Sequence, residues 1–139
     1  MAKNGPLLVL EDDEDDREIF QNVMDTLGMK NEVCFFDSGD ELLTYIKNTT
    51  EKPLIIVADI NVPRMNGLEL RRQINADPEL RQKSIPFVFL TTIESKEIVD
   101  EVYALTVQGY FVKKSFYSDI EKQIRVILEY WVIARHPNE

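Results

Sequence analysis

The sequence has one cysteine and one histidine among its 139 residues, and these shortages exclude several kinds of site. The single cysteine, Cys34, rules out an intramolecular disulfide and any metal site built from several cysteines. Its neighbours are apolar, so we expect it to be a small buried side chain. The single histidine, His136, stands beside Pro137 in a polar tail, where we expect a solvated side chain rather than a catalytic group. Histidine-dependent hydrolysis is therefore a poor interpretation of this chain.

Basic side chains and long apolar runs are also scarce. The sequence has 16 Lys and Arg against 25 Asp and Glu, a formal net charge of -9. Such a charge repels the phosphates of nucleic acids, so we expect no nucleic-acid binding and a protein partner instead. No apolar run approaches the roughly 18 residues of a membrane span, and the N-terminal segment lacks the apolar core of a signal peptide. We therefore expect a cytoplasmic protein without a membrane partner.

What the sequence does contain is a regular alternation of short apolar runs and helical patterns. Its length and its 44% hydrophobic content fit one domain with its own core. The apolar runs predict five strands, at Leu7–Leu10, Val33–Phe36, Leu54–Ala58, Pro86–Leu90 and Gly109–Val112. The helical patterns predict five helices, within residues 14–27, 38–46, 67–76, 95–105 and 117–134. The polar segment at 77–84 is expected to add only a turn.

This alternation predicts an α/β fold with a doubly wound, five-stranded parallel sheet. Parallel neighbours need right-handed crossovers, which place helices on both faces of the sheet. In the flavodoxin-like arrangement the strand order is 2-1-3-4-5, and the first and third strands flank the point where the winding reverses. Ligands of such sheets bind at the carboxyl ends of the strands.

Polar side chains that are candidates for a site follow the first, third, fourth and fifth predicted strands. They are Glu11 and Asp12 after the first strand, Asp59 after the third, Thr91 and Thr92 after the fourth, and Lys113 and Lys114 after the fifth. Because parallel strands end at one edge of the sheet, these side chains are expected to lie near one another. Carboxylates beside a hydroxyl and an ammonium suit Mg²⁺, which takes one or two carboxylates, keeps several waters and bridges to phosphoryl oxygens.

Six carboxylates in succession, at residues 11–16, concentrate negative charge after the first strand. Helix capping explains part of this run, since residues 13–16 fit an N-cap and a first turn, where acids favour the positive end of a helix. Capping does not require Glu11 or Asp12. These two carboxylates are therefore the candidates for the site.

Together these elements resemble a receiver domain, the CheY-like phospho-accepting module of two-component response regulators. The resemblance covers essentially the whole chain. It rests on the Glu11-Asp12 pair, Asp59, the spacing Asp59-x-x-x-Pro63-x-x-x-Gly67, Thr91 and Lys113. It implies a single-domain response regulator in which residues 1–139 form one receiver domain, with a core at about 6–134 and no output domain.

The resemblance implies a role in phosphoryl transfer for each residue of the site. Asp59 would accept a phosphoryl group from a phosphohistidine. Mg²⁺ would be held by Asp12, by Asp59 and by the backbone carbonyl of Asn61, while Glu11 would act through a water molecule. Lys113 would stabilise the negative charge that develops on the phosphoryl oxygens, as such transfers require.

The resemblance also implies a switch and its partners. Thr91 would donate its hydroxyl to the phosphoryl group, and Thr91 and Tyr110 would move together as a switch pair. Their movement would reshape the face made by the fourth helix, the fifth strand and the fifth helix, where a downstream protein target would bind. A sensor histidine kinase or a histidine phosphotransfer protein would supply the phosphoryl group. The pattern leaves open a homodimer.

Two positions depart from the receiver pattern. Lys114 stands where many receivers have proline, so we expect a trans peptide after Lys113. Ile93, two residues after Thr91, is a bulky apolar side chain near the expected path of hydrolytic water, so we expect slow loss of the phosphoryl group.

Two other functions remain open on the sequence alone. One is a receiver-fold interaction module that takes no phosphoryl group, because a fold can persist without its chemistry. The other is a Mg²⁺-dependent phosphatase with an aspartyl-phosphate intermediate. Such an enzyme uses a titratable residue two positions after its aspartate as the general acid and base. Asn61 occupies that position here, and its amide cannot titrate. We therefore expect a signalling domain rather than an enzyme.

Overall fold

One parallel sheet of five short strands forms the centre of the molecule. The computed structural model describes residues 2–139. The strands are β1 Leu7–Leu10, β2 Val33–Phe36, β3 Ile55–Ala58, β4 Phe87–Thr91 and β5 Gly109–Val112. Their spatial order is β2-β1-β3-β4-β5, as predicted. Strand β4 begins after Pro86 rather than at it, because proline has no N–H to donate to the strand ladder.

Within residues 2–139, six α-helices flank the sheet, one more than the sequence pattern predicts. They are α1 Glu14–Leu27, α2 Gly39–Asn48, α3 Gly67–Asn75, α4 Pro78–Lys83, α5 Lys96–Ala104 and α6 Tyr117–Ile133. The unpredicted helix is α4. Asp77 caps it by accepting hydrogen bonds from the N–H groups of Glu79 and Leu80, and Leu80 is its one buried side chain. A single apolar anchor gives no helical periodicity, which is why the sequence predicts only a turn there.

The sheet separates two apolar layers, because successive strand residues point to opposite faces. Leu8 and Phe89 face the layer that contains α2, α3, α4 and α5. Val9 and Val57 face the layer that contains α1 and α6. The central strands β1, β3 and β4 are buried throughout, whereas the edge strands are half-buried. Cys34 lies on edge strand β2 and is therefore half-buried, more exposed than predicted. Within residues 2–139, no helix has both the length and the apolar composition that crossing a bilayer demands.

The register of β1 and β3 brings two acidic residues to the same edge of the sheet. Leu10 pairs with Ala58, so the residues that follow them leave the sheet side by side. The N–H of Asp59 donates to the carbonyl of Leu10 at 2.9 Å. From here β1 winds to β2 and β3 winds to β4, in opposite directions. Glu11 and Asp59 therefore lie at the crevice where open α/β sheets bind ligands.

The expectation of a solvated His136 is wrong. The side chain is fully buried at the opposite edge of the sheet. Its Nε2 lies 3.0 Å from the carbonyl oxygen of Leu54, and its Nδ1 accepts the N–H of Asn138 at 3.1 Å. Because a carbonyl only accepts, Nε2 carries the proton and both ring nitrogens are satisfied. The partner is 82 residues away in the sequence, so no local pattern indicates this contact.

Candidate functional site

One buried ammonium group lies at the carboxyl edge of the sheet and contacts three carboxylates. It belongs to Lys113, directly after β5, whose side chain is 8% exposed. The Nζ atom lies near three oxygens, Glu11 Oε1 at 2.7 Å, Asp16 Oδ2 at 2.9 Å and Asp59 Oδ2 at 3.0 Å. Lys114 is exposed, and the peptide that joins it to Lys113 is trans, as predicted. The structure therefore brings Glu11, Asp59 and Lys113 together, as the strand ends predict.

Asp16 is a member of this cluster that the sequence interpretation assigned only to helix capping. The capping itself is present, since Asp13 Oδ1 accepts hydrogen bonds from the N–H groups of Asp15 and Asp16. The side chain of Asp16 nevertheless turns inward to Lys113 and is 19% exposed. The signal in the sequence was the length of the acidic run, which exceeds what one helix cap needs.

The loop after β3 is held close to Asp59 by backbone contacts. Asp59 Oδ1 accepts the N–H of Asn61 at 3.0 Å, and Asn61 itself is exposed. Asn66 caps α3 with a full capping box. A Cβ atom on Gly67, the first residue of α3, would lie 2.3 Å from the carbonyl oxygen of Asp59. The spacing from Asp59 to Gly67 thus has a steric reason, because the start of α3 approaches the backbone of Asp59 too closely for a side chain.

Arg64 ties this loop to the start of α2, and sequence reasoning missed it. Its φ of 59° lies in the left-handed region, which a side chain other than glycine rarely occupies. Its Nη2 donates to Ser38 Oγ at 2.6 Å and to Glu41 Oε1 at 2.7 Å. The N–H of Gly39 donates to the carbonyl of Met65 at 2.6 Å and joins the same two loops. The loop after β3 is therefore anchored to the start of α2.

Thr91 and Tyr110 meet through the backbone of Ile93. Thr91 is fully buried at the end of β4, and its Oγ1 accepts the N–H of Ile93 at 3.4 Å. The hydroxyl of Tyr110 donates to the carbonyl of Ile93 at 2.5 Å, while its half-buried ring lies 6.0 Å from that of Phe89. The two residues predicted to form a switch pair are thus joined by one peptide segment. Ile93 is half-buried against the core, next to Thr91.

Burial and crowding shift the pKa values of the central groups. Burial raises the pKa of Glu11 to about 7, against the lowering effect of Lys113, and the charge of Asp59 raises it further. Burial alone would lower the pKa of Lys113, but its hydrogen bonds to Glu11 and Asp16 raise it above its usual range. Lys113 is therefore protonated at neutral pH, whereas the pKa of Glu11 is raised toward neutrality.

The donor set suits one small divalent cation. The ammonium of Lys113 contacts three carboxylates, those of Glu11, Asp16 and Asp59, and Asp12 follows Glu11 in the sequence. Within residues 2–139, no set of three or more His, Cys, Asp or Glu side chains is arranged to hold a metal by itself. Mg²⁺ does not need such a set, since it takes one or two carboxylates and completes its shell with carbonyls, water and phosphoryl oxygens. Asp12, which is exposed, Asp59 and the carbonyl of Asn61 are ligands of the chemical type that Mg²⁺ takes.

Comparisons with known proteins identify the family. Residues 7–125 match the family model of the response regulator receiver domain. Response regulator Rcp1 of Synechocystis sp. is 28% identical over 131 residues, with 91% of this chain and 88% of Rcp1 covered. Chemotaxis protein CheY1 of Helicobacter pylori strain J99 is 30% identical over 122 residues, with 88% of this chain and 95% of CheY1 covered.

Solved structures share the fold over nearly the whole chain. The phosphorylated cyanobacterial phytochrome response regulator RcpA has a TM-score of 0.87 at 26% identity, and the match covers 95% of this chain and 97% of RcpA. The Mn²⁺-bound form of response regulator Rcp1 has a TM-score of 0.85 at 26% identity, and the match covers 94% and 96% of the two chains. Since the family match also spans most of the sequence, the chain belongs to the response regulator receiver domain family. Receiver domains are signalling domains of two-component systems, so the predicted class is confirmed.

Proposed function

We propose that this receiver domain accepts a phosphoryl group on Asp59 from a phosphohistidine. The observation that carries the proposal is the position of Lys113 Nζ, 3.0 Å from Asp59 Oδ2 in a buried crevice at the point where the winding reverses. In the transfer, an Asp59 oxygen attacks phosphorus, the new O–P bond forms and the P–N bond to the histidine breaks. Negative charge on the transferring oxygens then lies beside the Lys113 ammonium, which stabilises that charge.

The proposal includes Mg²⁺ as the cofactor. Asp12, Asp59 and the carbonyl of Asn61 would hold it, and Glu11 would act through a water molecule. When bound, Mg²⁺ would supply positive charge that stabilises the phosphoryl oxygens. The backbone of Asn61 is held next to Asp59, because its N–H donates to Asp59 Oδ1.

Thr91 and Tyr110 are proposed to read the phosphorylation state. Thr91 would donate its hydroxyl to a phosphoryl oxygen, which draws the Ile93 segment toward the site. Tyr110 follows because its hydroxyl donates to the carbonyl of Ile93. Two arrangements of this hydrogen-bonded segment would then couple the site to the surface next to β5.

We propose the face of α5, β5 and α6 as the surface where a downstream protein binds. Helices α5 and α6 are the fourth and fifth helices of the sequence prediction, because α4 is the additional helix. It contains a cavity of about 280 Å³ whose lining includes five large side chains, Tyr103, Tyr110, Val126, Tyr130 and Trp131. Tyr103, Val126 and Tyr130 are about half exposed or more, as expected for an apolar surface kept for a partner. A second copy of the chain is the alternative occupant of this face. The phosphoryl donor is proposed to be a sensor histidine kinase or a histidine phosphotransfer protein, in the cytoplasm.

The other two functions are less well supported. A phosphatase would need a general acid at Asn61, whose amide instead donates to Thr92 Oγ1 at 3.3 Å. An interaction module without phosphorylation would not need Lys113 buried against Asp59, because the desolvation cost of a buried ion pair largely offsets the attraction within it.

Phosphate-affinity electrophoresis tests the proposal. Wild type incubated with acetyl phosphate and Mg²⁺ should give a retarded band, and EDTA should abolish it. Asp59→Ala should give none, while Asp13→Asn, a matched acidic change outside the Lys113 cluster, should still give it. A wild-type protein that never shifts would support the interaction module instead.

A further inference from the structure

We propose that Asp16 is a positioning residue that competes for the Lys113 ammonium and opposes phosphorylation of Asp59. This inference rests on the proposed function. It concerns a carboxylate that contacts Lys113 but is not needed to accept the phosphoryl group or to hold the cation.

All hydrogen-bond donors of Lys113 are already engaged. An ammonium has three N–H groups, and three carboxylate oxygens lie within 2.7–3.0 Å of Nζ. Two of these carboxylates follow the ends of β1 and β3. The third, Asp16, comes from the first turn of α1. A phosphoryl oxygen that takes a hydrogen bond from Lys113 must therefore displace one of them.

The position of Asp16 is fixed by the helix cap. Its N–H donates to Asp13 Oδ1 at 3.1 Å, which holds the backbone of the first turn. The side chain is more exposed than those of Glu11 and Asp59, at 19% against 6% and 7%. Water can therefore replace Lys113 as a partner of Asp16 more easily than as a partner of Glu11 or Asp59. We expect the Asp16 contact to be the one that a phosphoryl oxygen displaces. Even after release, its charge stays close to the incoming phosphoryl oxygens.

The same charge has the opposite effect on a cation. A carboxylate that repels phosphoryl oxygens attracts Mg²⁺, since both act through the local potential. Loss of the Asp16 charge should therefore weaken Mg²⁺ binding and speed phosphorylation once Mg²⁺ is saturating. If Asp16 only stabilised α1, its loss would damage the site. Mg²⁺ binding would then weaken and phosphorylation would slow down as well.

The test compares Asp16→Asn with Asp15→Asn. Asp15 is the preceding residue in the same helical turn, and it is exposed and outside the Lys113 cluster. The control thus removes the same charge from the same end of α1. Mg²⁺ affinity is measured by calorimetric titration of the unphosphorylated protein, and the phosphorylation rate with acetyl phosphate at saturating Mg²⁺. Asp16→Ser is the second variant should Asp16→Asn not fold.

For Asp16→Asn we expect Mg²⁺ binding several-fold weaker and phosphorylation faster by about tenfold, the order expected for one charge in a partly screened site. Asp15→Asn should stay within about twofold of wild type in both measurements. Equal behaviour of the two variants, or slower phosphorylation of Asp16→Asn, would overturn the role of Asp16. A wild type that takes up no phosphoryl group would instead overturn the proposed function, and the role of Asp16 with it.

Discussion

Substitution of Gly67 by alanine should damage both the stability and the chemistry of this domain. The new Cβ would lie 2.3 Å from the carbonyl oxygen of Asp59 and 3.1 Å from the ring of Phe89. Neither neighbour can yield freely, because one is backbone at the end of β3 and the other is a buried core ring. We expect a loss of about 3 kcal/mol, the upper part of the range for overpacking a core, which lowers the melting temperature by about 10 °C in a domain of this size.

Gly28→Ala is the matched control for this prediction. Gly28 ends α1 with a φ of 66°, and no atom lies within 4 Å of its Cβ position. Alanine there meets backbone strain without a clash, at a cost of about 1 kcal/mol. Urea unfolding followed by circular dichroism compares the two variants, and phosphorylation by acetyl phosphate is measured well below both melting temperatures. Gly67→Ala should be phosphorylated slowly and Gly28→Ala normally. Equal stability of the two variants, or a normal phosphorylation rate in Gly67→Ala, would refute the steric argument.

Three further predictions concern the site and the C-terminal tail. The raised pKa of Glu11 means that the folded state binds this proton more tightly than the unfolded chain. The resulting stability is full below about pH 4.5 and is lost as the pH rises through about 7. In EDTA, the unfolding free energy from urea titrations should therefore fall by about 2 kcal/mol more in wild type than in Glu11→Gln between about pH 5 and pH 8, and parallel pH profiles would contradict this. His136→Ala leaves the Leu54 carbonyl without its buried donor, so chemical denaturation should show a loss of about 3 kcal/mol; a loss as small as that of a neighbouring exposed substitution, Arg135→Ala, would contradict it. Ile93→Asn should shorten the lifetime of the phosphorylated form by admitting hydrolytic water, and a decay no faster than that of wild type would contradict it.

The sequence predicts the fold because its apolar runs are short, regularly spaced and mostly free of polar interruption. Buried parallel strands need that composition, and their alternation with helices leaves few topologies. Three residues of the central cluster, Glu11, Asp59 and Lys113, follow from the same reasoning, since each is the first polar residue after such a run. The register of Leu10 with Ala58 then places Glu11 beside Asp59.

The features that the sequence did not predict depend on contacts between distant segments. Capping explains Asp16 well enough that its contact with Lys113, 97 residues away, is invisible in the pattern. Arg64 adopts a backbone conformation that its residue type disfavours, and its anchor Ser38 belongs to another loop. His136 resembles a tail residue until its partner in the sheet edge is known. In each case the local pattern has a sufficient explanation that does not include the tertiary contact.

The central claim, that Asp59 carries the phosphoryl group, is tested most directly by locating the modification. Wild type is treated with acetyl phosphate and Mg²⁺, and borohydride then reduces the acyl phosphate to a stable alcohol that tandem mass spectrometry can place in the sequence. The account predicts homoserine at position 59, absent without acetyl phosphate and absent in EDTA. Reduction at another carboxylate, such as Asp12 or Asp16, or no reduction at any position, would contradict it.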